Sequence, residues 1–478
     1  MSSSPDAPRK AARRRRPDMS NAISAEHHSI DFIPLSERYG TPRRLFTLWF
    51  SVNLHILGVA LGALGIAAGL TLAQAVAALA LGNAVGTFIM AAHSAQGPQL
   101  GIPQMIQSRA QFGVLGAAVP LLAVIVTYVL YTAADLLIIQ GTMRSLFSIG
   151  NDASLLLIAL VTLIIAYIGY ELIHSIGKWM TFVSSALFAA AALLLYTGHP
   201  AGVGRAHPVD PQVVGAAFSL TMTQAAAWSF SYGPYVADYS RYLPPDVSAA
   251  KTFWSTALGC FLGSTLIMAF GAYLAYKMPA LGSNPADAVA GLFGPARPLA
   301  EVLFVVAIVY GNVMNVYSAY MSSCTIFSGF NRMSHVGRAL KLVVMSMIMA
   351  AAIAVSLVSQ DNFQGYFANI LSAMIYMLVP WSAINLADYY MVRKGVYDIE
   401  AMFDIHGRYG AYRWRTIWVF VLGIAVQEPF MSFTFYKGWV TERIGADIAW
   451  VPGFLLPAVL YTLIERGREM QPALARPE

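Results

Sequence analysis

One apolar segment limits what this chain can fold into. The 28 residues from Val114 to Gly141 contain a single charged side chain, the carboxylate of Asp135. A segment of roughly 20 apolar residues is long enough to cross the hydrocarbon core of a bilayer as an α-helix. A charge near the middle of such a helix costs at least about 2.5 kcal/mol on insertion scales. The segment therefore predicts a transmembrane helix whose Asp135 faces a cavity, a partner or a ligand.

The composition agrees with a chain built mostly from such segments. Hydrophobic residues make up 57% of the 478 residues and charged residues 11%, against roughly 25% charged in soluble domains. Cys260 and Cys324 lie in or beside apolar segments and offer no disulfide framework or metal-ligand spacing. We predict an all-α polytopic membrane protein with spans at residues 45–69, 71–93, 114–141, 154–173, 178–197, 213–236, 252–276, 298–321, 340–358, 363–386, 414–435 and 449–465.

The distribution of positive charge predicts the orientation. The first 40 residues are polar, include Arg13 to Arg16, and lack the apolar core of a signal peptide. With twelve spans both termini lie on one side, and a cytoplasmic N-terminus leaves only six of the 30 Lys and Arg residues outside. This asymmetry is typical of the positive-inside rule. We expect an inner (plasma) membrane protein with both termini in the cytoplasm. The six residues are Arg144, Arg205, Lys277, Arg297, Lys437 and Arg443.

Helical spacing places three polar side chains on one face of the third span. Tyr128, Tyr131 and Asp135 stand at i, i+3 and i+7. Two phenol rings followed by a carboxylate form a stacking surface with a hydrogen-bonding end, which favours a binding site. The alternative is that Asp135 is neutral, or that it caps a neighbouring helix near the interface.

Glycine and proline indicate where helices are interrupted or closely packed. The first span carries Gly58, Gly62 and Gly65, and the sixth ends in Ser231 to Pro234. Proline lacks a backbone donor and clashes with the preceding turn. Interrupted helices at matching places of two halves indicate a transporter's binding site. For the first span the alternative, close packing through small residues, is favoured.

Several ordered motifs resemble those of a known family. The resemblance is to the purine–cytosine permease branch of the nucleobase–cation symporter-1 family, and it extends over residues 45–400. The motifs are GPQLGIP at 97–103, SRAQFG at 108–113 with Gly116, Asn312 with NVYS at 315–318, DYSRYLP at 238–244, NLADYY at 385–390 and RKGVYD at 393–398.

The resemblance implies a carrier and not an enzyme. It implies twelve helices, ten of which form a five-helix inverted repeat of the LeuT type, with two helices appended. The expected divisions are a largely disordered basic cytoplasmic segment (1–44), two repeats (45–197 and 213–386), a cytoplasmic loop with two helices (387–465) and a cytoplasmic tail (466–478).

The resemblance also assigns the substrate site. The family's stacking aromatic on helix three falls at Tyr131, and its amide-bearing residue falls at Asp135. A second aromatic near the break of helix six falls closest to Trp228, with its neighbours as alternatives. On helix eight, Asn315 matches the asparagine that binds the edge of the base. The predicted substrate-binding residues are Tyr128, Tyr131, Asp135, Trp228, Ser229, Phe230, Tyr232, Asn312 and Asn315.

The coupling ion is where this chain departs from its sodium-coupled relatives. In those proteins, backbone carbonyls that would map near Val52 and His55 face two hydroxyl side chains on helix eight. The hydroxyl positions here fall at Tyr310 and Gly311, neither a serine nor a threonine. A proton needs only a titratable group such as Asp135. We therefore predict proton coupling through Asp135, Val52 and His55, with sodium as the alternative and no cofactor or resident metal.

The remaining alternatives concern function class and ligand. A channel would need a continuous polar row along several helices, and an intramembrane enzyme would need paired catalytic groups; neither pattern occurs at membrane depth. A carrier for amino acids or other small solutes on the same fold stays open, as does a sodium-coupled heterocycle importer. The expected partners are a small heterocycle and membrane lipid, without nucleic acid. Cytosine, purines, hydantoins and vitamin-like rings are not distinguished, nor is an oligomeric state.

Overall fold

The structure of this protein is a computed structural model that describes residues 30–168, 170–198, 211–278, 285–331, 337–359 and 362–469. Residues 1–29 of the predicted N-terminal segment and 470–478 of the predicted tail lie outside these ranges. So does residue 169, which lies within the fourth predicted span (154–173) and between α-helical residues 168 and 170.

Helices are the main regular secondary structure of the described residues, which otherwise contain loops and an isolated β-bridge between Ser432 and Lys437. A π-helical turn extends the fifteenth helix over Ala387–Val392. The α-helices are α1 (Arg43–Asn53), α2 (Ile56–Ala67), α3 (Leu72–Ser94), α4 (Gly97–Leu100), α5 (Gln104–Phe112), α6 (Ala118–Phe147), α7 (Asn151–Ile168), α8 (Tyr170–Gly198), α9 (Pro211–Phe230), α10 (Gly233–Ser240), α11 (Ala249–Lys277), α12 (Pro285–Gly291), α13 (Arg297–Asn331), α14 (Arg338–Ser359), α15 (Phe363–Leu386), α16 (Trp414–Ala425), α17 (Trp439–Ile444) and α18 (Trp450–Glu469).

These helices account for the twelve predicted spans. Within the described ranges, eight helices are long and apolar enough to cross a membrane, and the bent pair of α1 and α2 supplies a ninth. The other three predicted spans correspond to α9 with α10, to α16 and to α18. α16 has only 12 residues, whereas α9 and α18 have 20 each.

The helix packing reflects a two-fold relation between the halves. If spans one to five are equivalent to spans six to ten, a contact between spans one and seven must reappear between spans six and two. Both occur, since α1 and α2 pack along α11 while α9 packs along α3. Likewise α7 packs on α13 and α14 packs on α6. One bundle therefore contains spans one, two, six and seven, and a second contains spans three, four, eight and nine.

Glycines allow the helices of the first bundle to cross closely. A Cβ added to Gly62 on α2 would lie 1.9 Å from the carbonyl oxygen of Met268 on α11. A Cβ on Gly86 of α3 would lie 2.2 Å from the carbonyl oxygen of Ala226 on α9. Such distances leave room for hydrogen only, as in small-residue helix interfaces. Gly62 thus serves helix packing, the alternative favoured from the sequence.

We expect a Gly62→Ala substitution to lower the melting temperature of the purified protein. The added methyl group must push the backbone of α11 away, and overpacking of this kind typically costs about 1–3 kcal/mol. Thermal unfolding in detergent, followed by fluorescence, measures the change. Gly291→Ala is the matched control, because a Cβ there meets no described atom within 4 Å. Equal melting of Gly62→Ala and the wild type would contradict the close crossing.

Two Ala-Asp-Tyr sequences, at 237–239 and 387–389, connect helix ends to neighbouring segments. Asp238 on α10 accepts a hydrogen bond of 2.7 Å from the backbone N–H of Gln104, the first residue of α5. Asp388 accepts hydrogen bonds from Gln111 (2.6 Å), Arg393 (2.9 Å) and Tyr461 (2.7 Å). Both aspartates therefore connect the motif-rich segment 97–113 to the ends of other spans.

Candidate functional site

The first and sixth spans are both interrupted, at matching positions of the two repeats. α1 ends at Asn53 and α2 begins at Ile56, and their axes differ by 62°. α9 ends at Phe230 and α10 begins at Gly233, with Pro234 in its first turn. Irregular backbone at membrane depth is tolerated only where protein or a water-filled cavity surrounds it. The two interruptions therefore indicate a cavity between the repeats.

A cavity does lie beside these interruptions. Its volume is about 20 Å³, room for about one water molecule and far below the roughly 300–1,000 Å³ of small-molecule sites, so a planar ring would enter only if the walls moved apart. Its walls come from the two interrupted spans together with the unbroken helices α6 and α13. The lining residues are Val52, His55, Leu57, Tyr131, Asp135, Trp228, Tyr232, Tyr235, Gly311 and Asn315.

Most of the residues predicted from the sequence lie together at this cavity. Tyr131 and Asp135 line it from α6, one turn apart as their spacing predicted. The other predicted residues at the cavity are Val52, His55, Trp228, Tyr232 and Asn315. Helical spacing alone could not place side chains from four different spans around one volume, because their contacts are all long-range; only the family resemblance had grouped them.

Four predicted substrate-binding residues do not line the cavity. Tyr128 is buried and its hydroxyl donates to the backbone oxygen of Ser231 at 3.2 Å. Ser229 donates to Asn83 Oδ1 at 2.8 Å, on the side of α3, and Phe230 is buried in the core. Within α9, Ser229 and Phe230 are rotated about the helix axis by about 100° and 200° from Trp228, so their side chains point away from the cavity that Trp228 lines.

Asn312, the fourth of these residues, is fully buried one position after Gly311. Neither polar atom of its side chain has a hydrogen-bond partner among the described residues. A buried amide without partners costs about 1–3 kcal/mol. Asn312 therefore provides unused hydrogen-bonding capacity next to the cavity wall.

Asp135 faces the cavity without a compensating charge in contact. Its side chain is 2% exposed, and Oδ1 has no hydrogen-bond partner among the described residues. The nearest basic group is the His55 imidazole, whose Nδ1 lies 4.0 Å from Oδ1, beyond hydrogen-bonding distance. On α13, Gly311 presents no side chain, and a Cβ there would lie 3.9 Å from Oδ2. The carboxyl group is thus open toward the cavity.

Aromatic rings form another part of the wall. Tyr131 and Trp228 meet edge to face, with ring centroids 5.8 Å apart and ring planes at 88°. The imidazole of His55 lies 5.2 Å from the indole, with the planes 33° apart. Two rings in direct edge contact leave no slot for a third ring between them. A ligand stacked on both faces would require these rings to separate.

The predicted cation-coupling positions lie at the first interruption. Val52 and His55 both line the cavity, and Gly311 faces them from α13. At the two helix-eight positions named in the sequence analysis, Tyr310 carries a phenol and Gly311 has no side chain, so neither supplies an aliphatic hydroxyl. The described ranges also contain no cluster of three or more His, Cys, Asp or Glu side chains that could hold a metal ion.

The sequence analysis did not identify two residues of the site, Tyr235 in the cavity wall and Asn53 behind it. Tyr235 lines the cavity, and its spacing from Trp228 and Tyr232 (i, i+4, i+7) was a usable signal across the interruption. Asn53 was also missed. Its side chain accepts a hydrogen bond of 2.7 Å from the Trp228 indole N–H, and nothing in the sequence pattern marks such a contact between distant spans.

Comparison with known proteins gives consistent matches along almost the whole chain. A family model described as a permease for cytosine/purines, uracil, thiamine and allantoin matches residues 32–451. "Putative purine-cytosine permease YxlA" of Bacillus subtilis (strain 168) is 38% identical over 448 residues, which cover 93% of this chain and 97% of that protein. Purine-cytosine permease FCY2 of Saccharomyces cerevisiae is 25% identical over 483 residues, covering 93% and 86% of the two chains.

A solved structure matches the fold. The structure of Mhp1, a nucleobase-cation-symport-1 family transporter in a closed conformation with bromovinylhydantoin bound, superposes with a TM-score of 0.73. The match covers 95% of this chain and 98% of Mhp1 at 18% sequence identity, so the likeness concerns the fold alone. It confirms the prediction of an all-α membrane protein with a five-helix inverted repeat and two extra helices.

Proposed function

Because this chain belongs to the family of permeases for cytosine/purines, uracil, thiamine and allantoin, we propose that it imports a cytosine- or purine-like heterocycle by proton symport. As a nucleobase permease of the nucleobase–cation symporter-1 family, it is a multi-pass membrane transporter and not an enzyme. The family resemblance read from its motifs is thereby confirmed. The substrate, the direction of transport and the coupling ion constitute the proposal.

The cavity wall suits a planar heterocycle. Tyr131 and Trp228 supply aromatic faces, and each stacked base gains roughly 1–3 kcal/mol. Asn315 lines the same volume, and its amide both donates and accepts hydrogen bonds. An aromatic face beside an amide allows a ring to be held by its surface and distinguished by its edge. The naming of two relatives as purine-cytosine permeases supports the same ligand class.

The observation that carries the proposal is the open carboxyl group of Asp135. An ionised carboxylate only accepts hydrogen bonds, whereas a protonated carboxyl group also donates one. Desolvation disfavours the charged form, so Asp135 is stable in the closed cavity when it binds a proton or an N–H-rich ligand edge. Proton binding and ligand binding at one group are thereby linked, which is what symport requires.

The helix-eight residues favour a proton over sodium as the coupling ion. Sodium, like other hard cations, prefers several oxygen ligands. Tyr310 and Gly311 do not provide the pair of aliphatic hydroxyls that would complete such a site opposite Val52 and His55. A proton needs only one titratable group, and Asp135 lies between these segments.

The expected location is the inner (plasma) membrane, with both termini in the cytoplasm. The predominance of Lys and Arg on the segments predicted to be cytoplasmic supports this orientation. Large apolar side chains on α8, including Trp179 (72% exposed) and Phe182 (73% exposed), point away from the protein and suit contact with lipid.

Uptake by the purified protein in liposomes tests the proposal. With a pH gradient and a sodium gradient imposed separately, radiolabelled cytosine should accumulate under the pH gradient alone. Excess unlabelled cytosine or purine should compete. Accumulation driven only by sodium would reject proton coupling, and competition only by amino acids would reject the ligand class.

A further inference from the structure

Asn53 connects the two interruptions without lining the cavity. It is the last residue of α1 and its side chain is fully buried. The backbone leaves the helix immediately after it, at Leu54 and His55. Its neighbours Val52 and His55 reach the cavity, whereas Asn53 itself points toward the sixth span and α11.

The side-chain amide of Asn53 is engaged on both sides. Its Oδ1 accepts hydrogen bonds from the indole Nε1–H of Trp228 at 2.7 Å and from the hydroxyl of Tyr232 at 3.2 Å. Its Nδ2 donates to the backbone oxygen of Trp49 at 2.6 Å and approaches the sulfur of Cys260 at 3.7 Å. Both donors to Oδ1 belong to residues that line the cavity.

These contacts fix which way the amide faces. The indole N–H and the tyrosine O–H both donate to Oδ1, and the backbone carbonyl of Trp49 accepts from Nδ2. If the amide were rotated by 180°, its NH₂ group would face these two donors and its oxygen would face the carbonyl oxygen. A buried donor that loses its only acceptor is destabilised. The indole of Trp228 is therefore oriented by a bond that comes from the first span, at the edge of its ring away from the cavity.

We propose that Asn53 is a positioning residue of the substrate site, whose amide orients the rings of Trp228 and Tyr232 at the cavity wall without touching the ligand. This role couples the interruption of the first span to that of the sixth span. A side chain of the first span, Asn53, holds the rings of Trp228 and Tyr232 of the sixth span. The ligand-affinity part of the proposal rests on the proposed function.

A double-mutant cycle tests whether Asn53 acts through the indole N–H. Asn53→Leu removes the acceptor and keeps the branched shape of the side chain, and Trp228→Phe keeps an aromatic face without the N–H. We expect Asn53→Leu to weaken cytosine binding roughly tenfold in the wild type, the usual consequence of an unsatisfied buried donor. In the Trp228→Phe protein the same change should weaken binding less than about threefold. Equal losses in both backgrounds would overturn the orientation of the Trp228 indole by Asn53.

Asn83→Leu is the matched control. Asn83 is equally buried and also bridges helices, bonding Thr265 at 3.3 Å and Ser229 at 2.8 Å. Neither Thr265 nor Ser229 lines the cavity. Asn83→Leu should therefore lower the stability of the protein and leave its affinity for cytosine unchanged. If Asn53→Leu does not fold, Asn53→Ser serves instead, since it withdraws the acceptor with a smaller change. A tenfold affinity loss in Asn83→Leu as well would reduce Asn53 to a general packing role.

Fluorescence gives a readout that needs no ligand. The chain has nine tryptophans. Subtracting the emission spectrum of the Trp228→Phe variant from that of the otherwise identical protein with Trp228 gives the emission of Trp228 alone. Loss of the acceptor should shift that emission to shorter wavelength in Asn53→Leu but not in Asn83→Leu. An unshifted spectrum would overturn the positioning role. If the wild type binds no base, the proposed function fails, while the spectrum still decides on Asn53.

Discussion

An Asp135→Asn variant is expected to bind substrate and to lose accumulation driven by a pH gradient. Asparagine keeps the shape of the side chain and supplies the amide that the family resemblance implies at this position, but it cannot bind and release a proton. In liposomes with an inward pH gradient, steady-state cytosine inside should fall to the external concentration. Exchange of internal for external cytosine should persist, because that half-reaction moves no net proton.

Asp447→Asn is the matched control for this experiment. Asp447 is another buried carboxylate, 2% exposed, but it lies outside the cavity and accepts a hydrogen bond of 2.6 Å from Tyr376. Its amide replacement should leave accumulation under the pH gradient in place. If Asp135→Asn still concentrates cytosine using the pH gradient alone, Asp135 is not the coupling group. Sodium-dependent uptake by the wild type would direct attention to Val52 and His55.

A Trp228→Ala variant is expected to bind cytosine roughly 5- to 150-fold more weakly, which corresponds to the roughly 1–3 kcal/mol of one lost aromatic stack. Tyr131→Ala should have an effect of the same size, whereas Tyr131→Phe should retain most of the affinity because the ring face remains. Equilibrium binding of radiolabelled cytosine to the purified variants measures these changes.

Phe230→Leu controls for damage to the sixth span. Phe230 is buried beside Trp228 in sequence but does not line the cavity, so its substitution should leave affinity near that of the wild type. Unchanged binding in Trp228→Ala together with loss of binding in Phe230→Leu would show that the other face of α9 meets the ligand. The edge-to-face contact of Tyr131 and Trp228 also predicts that the two rings separate when a ligand stacks on both.

The sequence predicted the fold because the bilayer restricts the choices. A backbone in hydrocarbon must satisfy its own hydrogen bonds, so each long apolar run is read as a helix. All twelve predicted spans have helical counterparts, and the motifs at 97–113 and 238–244 carried the family resemblance that the comparisons confirm. The ends of the spans were predicted less accurately than their positions, since α16 ends at Ala425 and covers only part of the predicted span 414–435.

Part of the candidate site was also readable from local spacing. Tyr131 and Asp135 lie one turn apart on a single unbroken helix, so their shared face follows from helix geometry alone. Tyr128 shares this stripe, yet its hydroxyl bonds to Ser231 rather than lining the cavity. Helical periodicity predicts which residues share one face of a helix. Which of those residues are covered by a neighbouring helix and which line the cavity depends on how the helices pack.

The sequence by itself determined that the chain crosses a membrane, where its helices run, and that a carboxyl group lies among aromatic rings on the third span. Only the tertiary structure decided which residues of the sixth span face the cavity, and that Asn53 holds Trp228 and Tyr232 from the first span. The rotation of a helix about its axis is set by its neighbours. Contacts across interrupted helices join residues more than 170 positions apart, and no local pattern encodes them.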